Sequence, residues 1–376
     1  MKKLRVLGLS DLHLGEKDTL LYDDKYSIIK KTINKIRDIS IPRVNEELEG
    51  GIEELILIGD IIDLSEAKDE EAYANTRQFL TDLLNQVEIE KIIFIPGNHD
   101  HHIWIETLKN IFNMTQWSSD TPMPELPICV KEPSAFIRNC LPLQHPSVEL
   151  WYPYYLLEEG NLSMLFDHGH LFSTTLKNLS RIPFVRHLFR FSKKTTDAET
   201  LKELEEIACS FIEWIWHPRE TSWQGIREWI YDRSKRLFLL LKHGSTLGNT
   251  FREDSRPIYD DALLEQIQWY LLKICKIQPV YFHEKDFHLV FGHTHIGGMA
   301  LKPVRRFRMN GPFISVWNTG CWLVPSEVFS PNAYVFYVER NADRLEPGVY
   351  KMVRIHGAIP VGDYDERLLS ERLGHL

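Results

Sequence analysis

Apolar residues in the first half of the chain occur in short continuous runs that alternate with a segment of helical periodicity. The runs cover residues 4–9, 53–58, 91–95 and 162–166, each with the length of a buried strand. Between the second and third runs, apolar residues recur at helical spacing behind an acidic start, at Phe79, Leu80, Leu83, Leu84 and Val87. This alternation predicts helices that cover a largely parallel sheet.

The pattern becomes helical between residues 171 and 278. One apolar stripe comprises Leu201, Leu204, Ile207, Ala208, Phe211 and Ile215, and a second comprises Leu263, Leu264, Ile267, Tyr270, Leu271 and Ile274. Strand-like runs resume at 287–291, 313–317, 333–338 and 349–355. We therefore predict one α/β domain formed by residues 1–170 and 279–376, interrupted by a helical insertion over residues 171–278.

Composition is that of an ordinary globular protein, with 43% hydrophobic and 26% charged residues. The formal net charge of −9 argues against a general nucleic-acid binder. Five scattered cysteines without a CxxC pair argue against a disulfide framework and favour a reducing compartment. The apolar run after the two N-terminal lysines is short for a signal peptide, and no stretch approaches the roughly 18 apolar residues of a membrane span. These features predict a cytoplasmic protein without a transmembrane segment.

Short polar motifs rich in metal-binding side chains lie along the chain, most of them at the ends of strand-like runs. They are Asp11-Leu-His13, Gly59-Asp60-Ile-Ile-Asp63, Gly97-Asn98-His99-Asp100, His168-Gly-His170 and Gly292-His293-Thr-His295. Ligands bind outside the carboxyl ends of strands in open α/β sheets, so we expect these motifs to converge. The spacing of i and i+2 within the first and last motifs places both side chains on one face of an extended chain. Glycines 59 and 97 allow a sharp turn at the strand end.

Imidazole, carboxylate and one amide make up this set of donors, and thiolate is missing from it. Such a set suits Mn²⁺, Fe²⁺ or Zn²⁺ better than Ca²⁺ alone or a structural zinc site. Two ions about 3.5–4 Å apart need a shared carboxylate, and Asp60 is the natural bridge. We therefore expect two divalent metal ions, with Mn²⁺ as the first choice and Fe or Zn as alternatives.

Taken in this order, the motifs resemble those of the calcineurin-like metallophosphoesterase superfamily, as does the turn Asn318-Thr-Gly320. The resemblance covers the α/β part and implies a four-layer α/β/β/α sandwich of two mixed sheets, with the helical insertion as a cap. It implies that one metal is held by the residues matching Asp11, His13, Asp60 and His295. The other would be held by those matching Asp60, Asn98, His168 and His293.

The same resemblance implies a mechanism, in which a hydroxide between the two ions attacks phosphorus in line. The residue at the position of His99 stabilises the developing charge or protonates the leaving oxygen. Asp63 and Asp100 are expected to orient ligands or cap turns rather than bind metal. Either imidazole of His168-Gly-His170 can face the metal, and the family pattern favours His168 over His170.

The helical insertion begins with a stretch, residues 171–200, that contains six basic and two acidic residues among apolar ones. One interpretation is a helix that docks its apolar face on the core, with the nearby tryptophans packed inside. The other is a lid whose rim, formed by Arg181, Arg186 and Arg190, binds an amphipathic phosphate ester near a membrane surface. The UDP-diacylglucosamine diphosphatases are similar in their DLHL start and helical insertion, but they are shorter and usually carry arginine where this chain has His99.

The sequence thus predicts a hydrolase, a phosphodiesterase or phosphatase, acting on a phosphorylated small molecule or lipid. A lipid-linked diphosphate hydrolase is one alternative. Another is a nuclease acting on single-stranded or terminal nucleic acid, with arginines on phosphates and tryptophans on bases. A non-catalytic scaffold is disfavoured, because every metal ligand of the pattern is present. Beside the motifs, we expect His101 and His102 to be exposed at the start of a helix.

Overall fold

The structure is a computed structural model that describes residues 4–16, 19, 21, 29–40, 51–65, 67–113, 123–131, 135–142, 145–181, 183–188, 193–216, 261–277, 286–294, 304–308, 313–323, 332–341, 344–356, 359–360 and 364–365. Its helices are α1 (Ile29–Ser40), α2 (Asp69–Leu84), α3 (His101–Ile111), α4 (Ala135–Asn139), α5 (Thr174–Ser180), α6 (Pro183–Leu188), α7 (Leu201–Trp216) and α8 (Asp261–Ile277). Two short 3-10 turns cover His170–Phe172 and Thr195–Asp197.

The strands alternate with these helices in the first part of the chain and dominate its last part. They are β1 (Leu4–Leu9), β2 (Ile52–Ile58), β3 (Ile89–Ile95), β4 (Ile128–Val130), β5 (Ser147–Tyr152), β6 (Tyr154–Glu159), β7 (Leu162–Asp167), β8 (Asp286–Phe291), β9 (Val304–Arg308), β10 (Phe313–Asn318), β11 (Asn332–Asn341), β12 (Arg344–His356), β13 (Ile359–Pro360) and β14 (Tyr364–Asp365).

Two mixed sheets contain these strands. In the first, the described strands follow the order β13-β12-β11-β1-β2-β3-β5-β4, and β14 pairs with β12. Strands β1, β2, β3 and β5 run parallel, while β11 and β4 are antiparallel to their neighbours. In the second sheet the order is β6-β7-β8-β10-β9, with β7, β8 and β10 parallel. Each sheet therefore offers a row of parallel strands whose carboxyl ends lie side by side.

An apolar layer lies between the two sheets. Val6, Ile56 and Ile93 of the first sheet pack there with Met164 and Phe166 of the second. Alternate positions on the same strands point away from this layer and pack with helix residues, among them Leu7, Leu55, Ile92, Ile33, Phe79 and Leu83. Helices thus cover the outer faces of facing sheets, which confirms the predicted α/β/β/α sandwich.

The predicted strands form with slightly longer bounds than the apolar runs indicated. Strand β2 begins at Ile52, β3 at Ile89 and β12 at Arg344. The sequence analysis missed six strands outright, namely β4, β5, β6, β9, β13 and β14. In β5 exposed or half-buried residues alternate with buried ones, so this strand lacks the continuous apolar run that marked the others.

Every described element between residues 171 and 278 is helical. The first apolar stripe is buried on α7 at each position whose side chain is described, and all members of the second stripe are buried on α8. Both helices join the apolar cluster that covers the outer sheet faces. Residues 217–260 and the side chains of Ile215, Trp214 and Trp216 lie outside the described part, so the division into domain and insertion stays a prediction. Among the described helices, none is both long and apolar enough to cross a membrane.

Candidate metal centre

The loops that follow the parallel strands carry the motif residues in unusual backbone conformations. Asp11, His13, Asp60 and His293 have φ values of 51°, 48°, 51° and 63°. A residue with a side chain is strained in this left-handed region, by about 1–3 kcal/mol each, and such strain clusters at functional sites. The prediction that an extended chain places the side chains of Asp11 and His13 on one face is therefore wrong, because the chain turns sharply at both residues.

Two glycines make room for the carboxylate of Asp60. Gly59 adopts a φ of +73° directly after β2, which a side chain would oppose. Gly97 follows β3, and a Cβ atom at this position would overlap the Asp60 Oδ1 atom and approach its backbone nitrogen within 2.7 Å. Both turns bring polar groups to the edge of the sheets, in agreement with the interpretation of these glycines from the sequence.

Asp60 belongs to two separate groups of ligand-type side chains. In one, ligand atoms of Asp11, His13 and Asp60 lie within 4.8 Å of one another. In the other, ligand atoms of Asp60, His168 and His293 lie within the same distance. Strands β1 and β2 of the first sheet deliver three of these residues and strands β7 and β8 of the second deliver two. His295 lies outside the described residues, and its assignment stays a prediction.

Asn98 places its side-chain oxygen between the two histidines of the second group. The Oδ1 atom is 2.8 Å from His293 Nδ1 and 3.1 Å from His168 Nε2. His168 Nδ1 lies 3.0 Å from the Ile58 carbonyl oxygen and donates to it, so a neutral His168 presents only a lone pair at Nε2. That lone pair then faces acceptor oxygens, and the arrangement requires a positive charge.

The oxygen Oδ2 of Asp60 is buried and has no hydrogen-bond partner among the described residues. It lies 3.1 Å from His168 Nε2. Burial alone lowers the pKa of His168, but the carboxylate of Asp60 outweighs it and raises that pKa to about 9. Burial alone raises the pKa of Asp60, and the imidazoles of His168 and His99 reverse this and hold it well below its ordinary value. A proton on His168 or a metal ion supplies the missing positive charge, so the residues fit a metal.

Asp63 holds two imidazoles by the same oxygen. Its Oδ2 atom accepts hydrogen bonds from Nδ1 of His13 at 3.1 Å and from Nδ1 of His99 at 3.0 Å. Its other oxygen accepts from the backbone amide and the hydroxyl of Ser65, each at 3.0 Å. Because His13 donates through Nδ1, its Nε2 carries the lone pair and is the nitrogen that would bind a metal, an arrangement common around metal-binding histidines.

His99 is buried, and the carboxylates around it control its charge. Burial alone lowers its pKa, but Asp63 and Asp60 outweigh this effect and raise the pKa to about 10. The side chain therefore carries a proton at neutral pH. A protonated imidazole in this position can stabilise negative charge or donate a proton.

Asp100 supports the turns that carry the ligands. Its Oδ1 accepts a hydrogen bond from the Gly97 amide at 2.5 Å, and its Oδ2 accepts one from the Ile61 amide at 2.9 Å. Burial, followed by the negative charge of Asp60, raises the pKa of Asp100 to about 6. The carboxyl group thus ties the loop after β3 to the loop after β2.

The loop after β8 is fixed to the first sheet and to the turn after β10. The His293 amide donates to both carboxylate oxygens of Asp11, at 3.0 and 3.1 Å. The side-chain amide of Asn318 donates to the Gly292 carbonyl oxygen at 3.3 Å and to Thr294 Oγ1 at 2.8 Å. These bonds explain why the Asn318-Thr-Gly320 turn accompanies the metal-binding motifs.

Comparison with known proteins agrees with this geometry. The sequence model of the family described as calcineurin-like phosphoesterase matches residues 4–297. The chain belongs to this family. The match confirms the resemblance on which the fold and the ligand set were predicted, and its range includes the predicted helical insertion, residues 171–278.

Two solved structures that match this chain are distant. One is vacuolar protein sorting 29 from Cryptosporidium parvum, with 13% identity, a TM-score of 0.32, and coverage of 97% of this chain and 100% of that chain. Another is a single mutant of Vps29 from Entamoeba histolytica, with 12% identity, a TM-score of 0.32, and coverage of 96% and 99%. A search of curated proteins found no match.

The structure separates the two histidines of the His168-Gly-His170 motif. His168 lies in the group with Asp60 and His293, whereas His170 belongs to none of the ligand groups found among the described residues. His170 instead faces Tyr152, whose hydroxyl oxygen lies 3.1 Å from its Nε2. This placement favours His168 as the ligand.

The expectation for His101 is wrong in one respect. Helix α3 does begin at His101, but the side chain is fully buried rather than exposed, because both ring nitrogens contact glutamates of α7. His102 is half-buried. The sequence analysis also missed the two glutamates, Glu205 and Glu213. Glu205 follows Leu201 by four residues and precedes Ala208 by three, so its place in the apolar stripe was the available signal.

The three arginines proposed for substrate binding have different surroundings. Arg181 is exposed directly after α5, and Arg186 is half-buried on α6. Arg190 lies outside the described residues. Their role toward substrate stays a prediction.

Proposed function

We propose that this member of the calcineurin-like phosphoesterase family hydrolyses phosphate esters at a centre of two divalent metal ions. The observation that carries the proposal is the buried carboxylate of Asp60. It is shared by two ligand groups, and its Oδ2 has no hydrogen-bond partner among the described residues. A carboxylate common to two ligand groups is what a pair of close metal ions requires.

The residues divide between two ions in the way the family resemblance implies. Asp11, His13 and Asp60 hold one ion, with His295 as a further ligand. Asp60, Asn98, His168 and His293 hold the other. The donors are carboxylate, imidazole and amide, which suits Mn²⁺ best and admits Fe or Zn. When bound, the ions activate water and neutralise charge on the phosphoryl oxygens.

The protein's own groups supply orientation and a proton. Asp63 fixes the ring of His13, so that one nitrogen is directed away from the carboxylate and available for binding. The same carboxylate keeps His99 protonated, and His99 donates this proton to the leaving oxygen or stabilises the charge on it. The substrate is a phosphorylated small molecule or lipid, hydrolysed as a monoester, a diester or a diphosphate.

The test is Mn²⁺-dependent hydrolysis of bis-p-nitrophenyl phosphate beside p-nitrophenyl phosphate, each with and without EDTA. Turnover of the diester that EDTA abolishes supports a phosphodiesterase, and turnover of the monoester alone supports a phosphatase. Metal content measured on the same preparation distinguishes an enzyme with a narrow substrate range from one that lacks the centre. A protein that binds no divalent metal and hydrolyses neither ester would reject the proposal.

A further inference from the structure

A buried hydrogen-bonded network joins α7, in the insertion, to the start of α3. His101 Nδ1 donates to Glu213 Oε1 at 2.6 Å, and His101 Nε2 donates to Glu205 Oε1 at 3.1 Å. All three side chains are buried, and both glutamates lie on α7. The imidazolium of His101 thus balances charge that the insertion carries into the protein interior.

Glu205 is the centre of this network. Besides His101, it accepts a hydrogen bond from Trp104 Nε1 at 3.1 Å and one from the Tyr152 hydroxyl at 2.7 Å. The rings of Trp104 and Tyr152 stack with centroids 4.5 Å apart and an interplanar angle of 15°. The position of the Tyr152 hydroxyl is therefore fixed by packing as well as by its bond to the glutamate.

Ligand atoms of His101, Glu205 and Cys209 also lie within 4.8 Å of one another, as they would around a metal. Each His101 nitrogen is already bonded to a carboxylate, and both oxygens of Glu205 accept N–H or O–H groups. Hydrogen bonds account for this cluster, and it needs no metal ion.

The network ends at His170, next to the metal centre. The single proton of the Tyr152 hydroxyl goes to Glu205, so at 3.1 Å the Tyr152 oxygen accepts a hydrogen bond from His170 Nε2. The neutral His170 ring then has its lone pair at Nδ1. This Nδ1 atom is buried and has no hydrogen-bond partner among the described residues. The His170 ring lies 5.6 Å, centroid to centroid, from that of His168.

The geometry argues against a second proton on His170. A proton on Nδ1 would be a buried donor without an acceptor among the described residues. A neutral, buried imidazole with one unoccupied nitrogen is an acceptor that lacks a donor.

We infer that Glu205 and Tyr152 are positioning residues for His170. They fix its ring as the Nε2–H tautomer, so that Nδ1 accepts a hydrogen bond from water or a substrate hydroxyl at the metal centre. This inference rests on the proposed function. It gives the helical insertion a role in the reaction itself, because one of its glutamates sets the state of a ring beside the metal ligands.

The test compares Tyr152→Phe with Tyr155→Phe. Among the described residues, the Tyr152 hydroxyl is the hydrogen-bonded link between Glu205 and His170, and the first variant removes it. The bonds of Glu205 to His101 and Trp104 stay in place. The matched control also removes a tyrosine hydroxyl that donates to a glutamate, since Tyr155 donates to Glu54 at 3.0 Å. The control acts on a different glutamate, outside the network that ends at His170.

Nitrogen-15 NMR of histidine-labelled protein reads the tautomer directly, with the His170 signals assigned by their loss in His170→Gln. We expect protonated Nε2 and unprotonated Nδ1 in the wild type and in Tyr155→Phe, and a mixture of tautomers in Tyr152→Phe. In the Mn²⁺ assay, kcat of Tyr152→Phe should fall roughly tenfold with little change in KM. The control should keep both values.

Two results would overturn the inference. One is a wild-type spectrum in which His170 is cationic or protonated at Nδ1. The other is a Tyr152→Phe variant that keeps both the tautomer and kcat. The spectrum is recorded without turnover, so the two failures can be told apart. A wild type with the expected tautomer that binds no divalent metal and hydrolyses neither ester rejects the proposed function and, with it, the acceptor role of His170. A wrong tautomer in an active wild type rejects the inference alone.

Discussion

His168 Nε2 and Asp60 Oδ2 lie 3.1 Å apart, yet the oxygen has no hydrogen bond among the described residues. Two groups at this distance that are not aligned for a hydrogen bond are arranged as ligands of a shared cation are. The residues come from different sheets, since Asp60 follows β2 and His168 follows β7. The residues proposed to bind metal thus lie where the two sheets meet.

Replacing Asp60 by asparagine should abolish the two-metal centre without unfolding the protein. The amide keeps the shape and an oxygen that can accept from the His99 amide, now at 2.8 Å, but it lacks the bridging charge. We expect the Mn²⁺-dependent rate to fall by several orders of magnitude, on the order of 10³. Turnover and bound metal should be measured together, with thermal unfolding as the check on folding.

The matched control for this change is Asp38→Asn, because Asp38 is an exposed carboxylate on α1 that pairs only with Arg37 among the contacts described. It should keep full activity. Near-normal turnover in Asp60→Asn, with two metals still bound, would contradict the assignment of Asp60 as the bridging ligand.

Asp63→Asn should weaken metal binding to a smaller extent. Its Oδ2 orients His13, a proposed ligand, and His99, the proposed proton donor, and Asp63 itself is not a proposed ligand. Loss of such a partner typically costs 10–100-fold in metal affinity or activity. Titration calorimetry with Mn²⁺ should show this loss of affinity. The pKa of His99 should also fall, because Asp63 is the main group that raises it. An unchanged metal affinity would mean that the ring of His13 is held by other contacts.

Gly97→Ala should damage the centre more than the fold. The added methyl group would collide with the carboxylate of Asp60. Gly160→Ala is the control: its φ is +56°, so alanine is strained there as well, but no atom lies within 4 Å of the new methyl group. Gly160→Ala should cost about 1 kcal/mol of stability and no activity. Gly97→Ala should lose Mn²⁺ binding, and retention of wild-type metal affinity would show that the turn can move aside.

Stability of the metal-free protein should depend on pH through His101. Burial alone lowers the pKa of His101, but Glu205 and Glu213 raise it to about 9, above the ordinary value of 6.5. Its stabilising contribution is therefore complete below about pH 6.5 and is lost as the pH rises through about 9. The full loss is on the order of 3 kcal/mol.

Urea unfolding in EDTA, compared between wild type and Glu213→Gln, isolates this contribution. The described groups that face His101 are Glu205, Glu213, Cys209 and the rings of Tyr152 and His170. Without the charge of Glu213, the free energy of unfolding should fall less steeply between pH 7 and 9. Identical slopes for the two proteins would show that the His101–Glu213 pair does not titrate in this range.

Strand-end placement explains why the convergence of these polar residues could be predicted from sequence. Asp60 and Asn98 follow buried apolar runs, and parallel strands end together, so their convergence needed only local pattern and topology. The exact backbone at Asp11 and His13 could not be predicted in this way. Their left-handed turns depend on contacts such as the one between the Asp11 carboxylate and the His293 amide, which arise only in the folded chain.

The buried network of His101 and Glu205 could not be predicted from the sequence either, for a different reason. His101 and Glu205 are separated by 104 residues, and their pairing depends on how α7 docks on α3. Helical periodicity identifies the face that is buried but not the neighbour that it meets. A charged residue at position 205 within an apolar stripe required a buried partner, and the identity of that partner came from the structure.

The hydrogen bonds from the His293 amide to Asp11 join two segments that are 282 residues apart. During synthesis, the proposed centre therefore stays incomplete until β8 has left the ribosome, and it cannot bind an ion at full strength before then. In the proposed centre, a cut or local unfolding that releases β8 would remove His293 and its bonds to Asp11 and so weaken metal binding. Metal occupancy would then report whether β8 has docked, and metal would selectively stabilise the molecules in which it has.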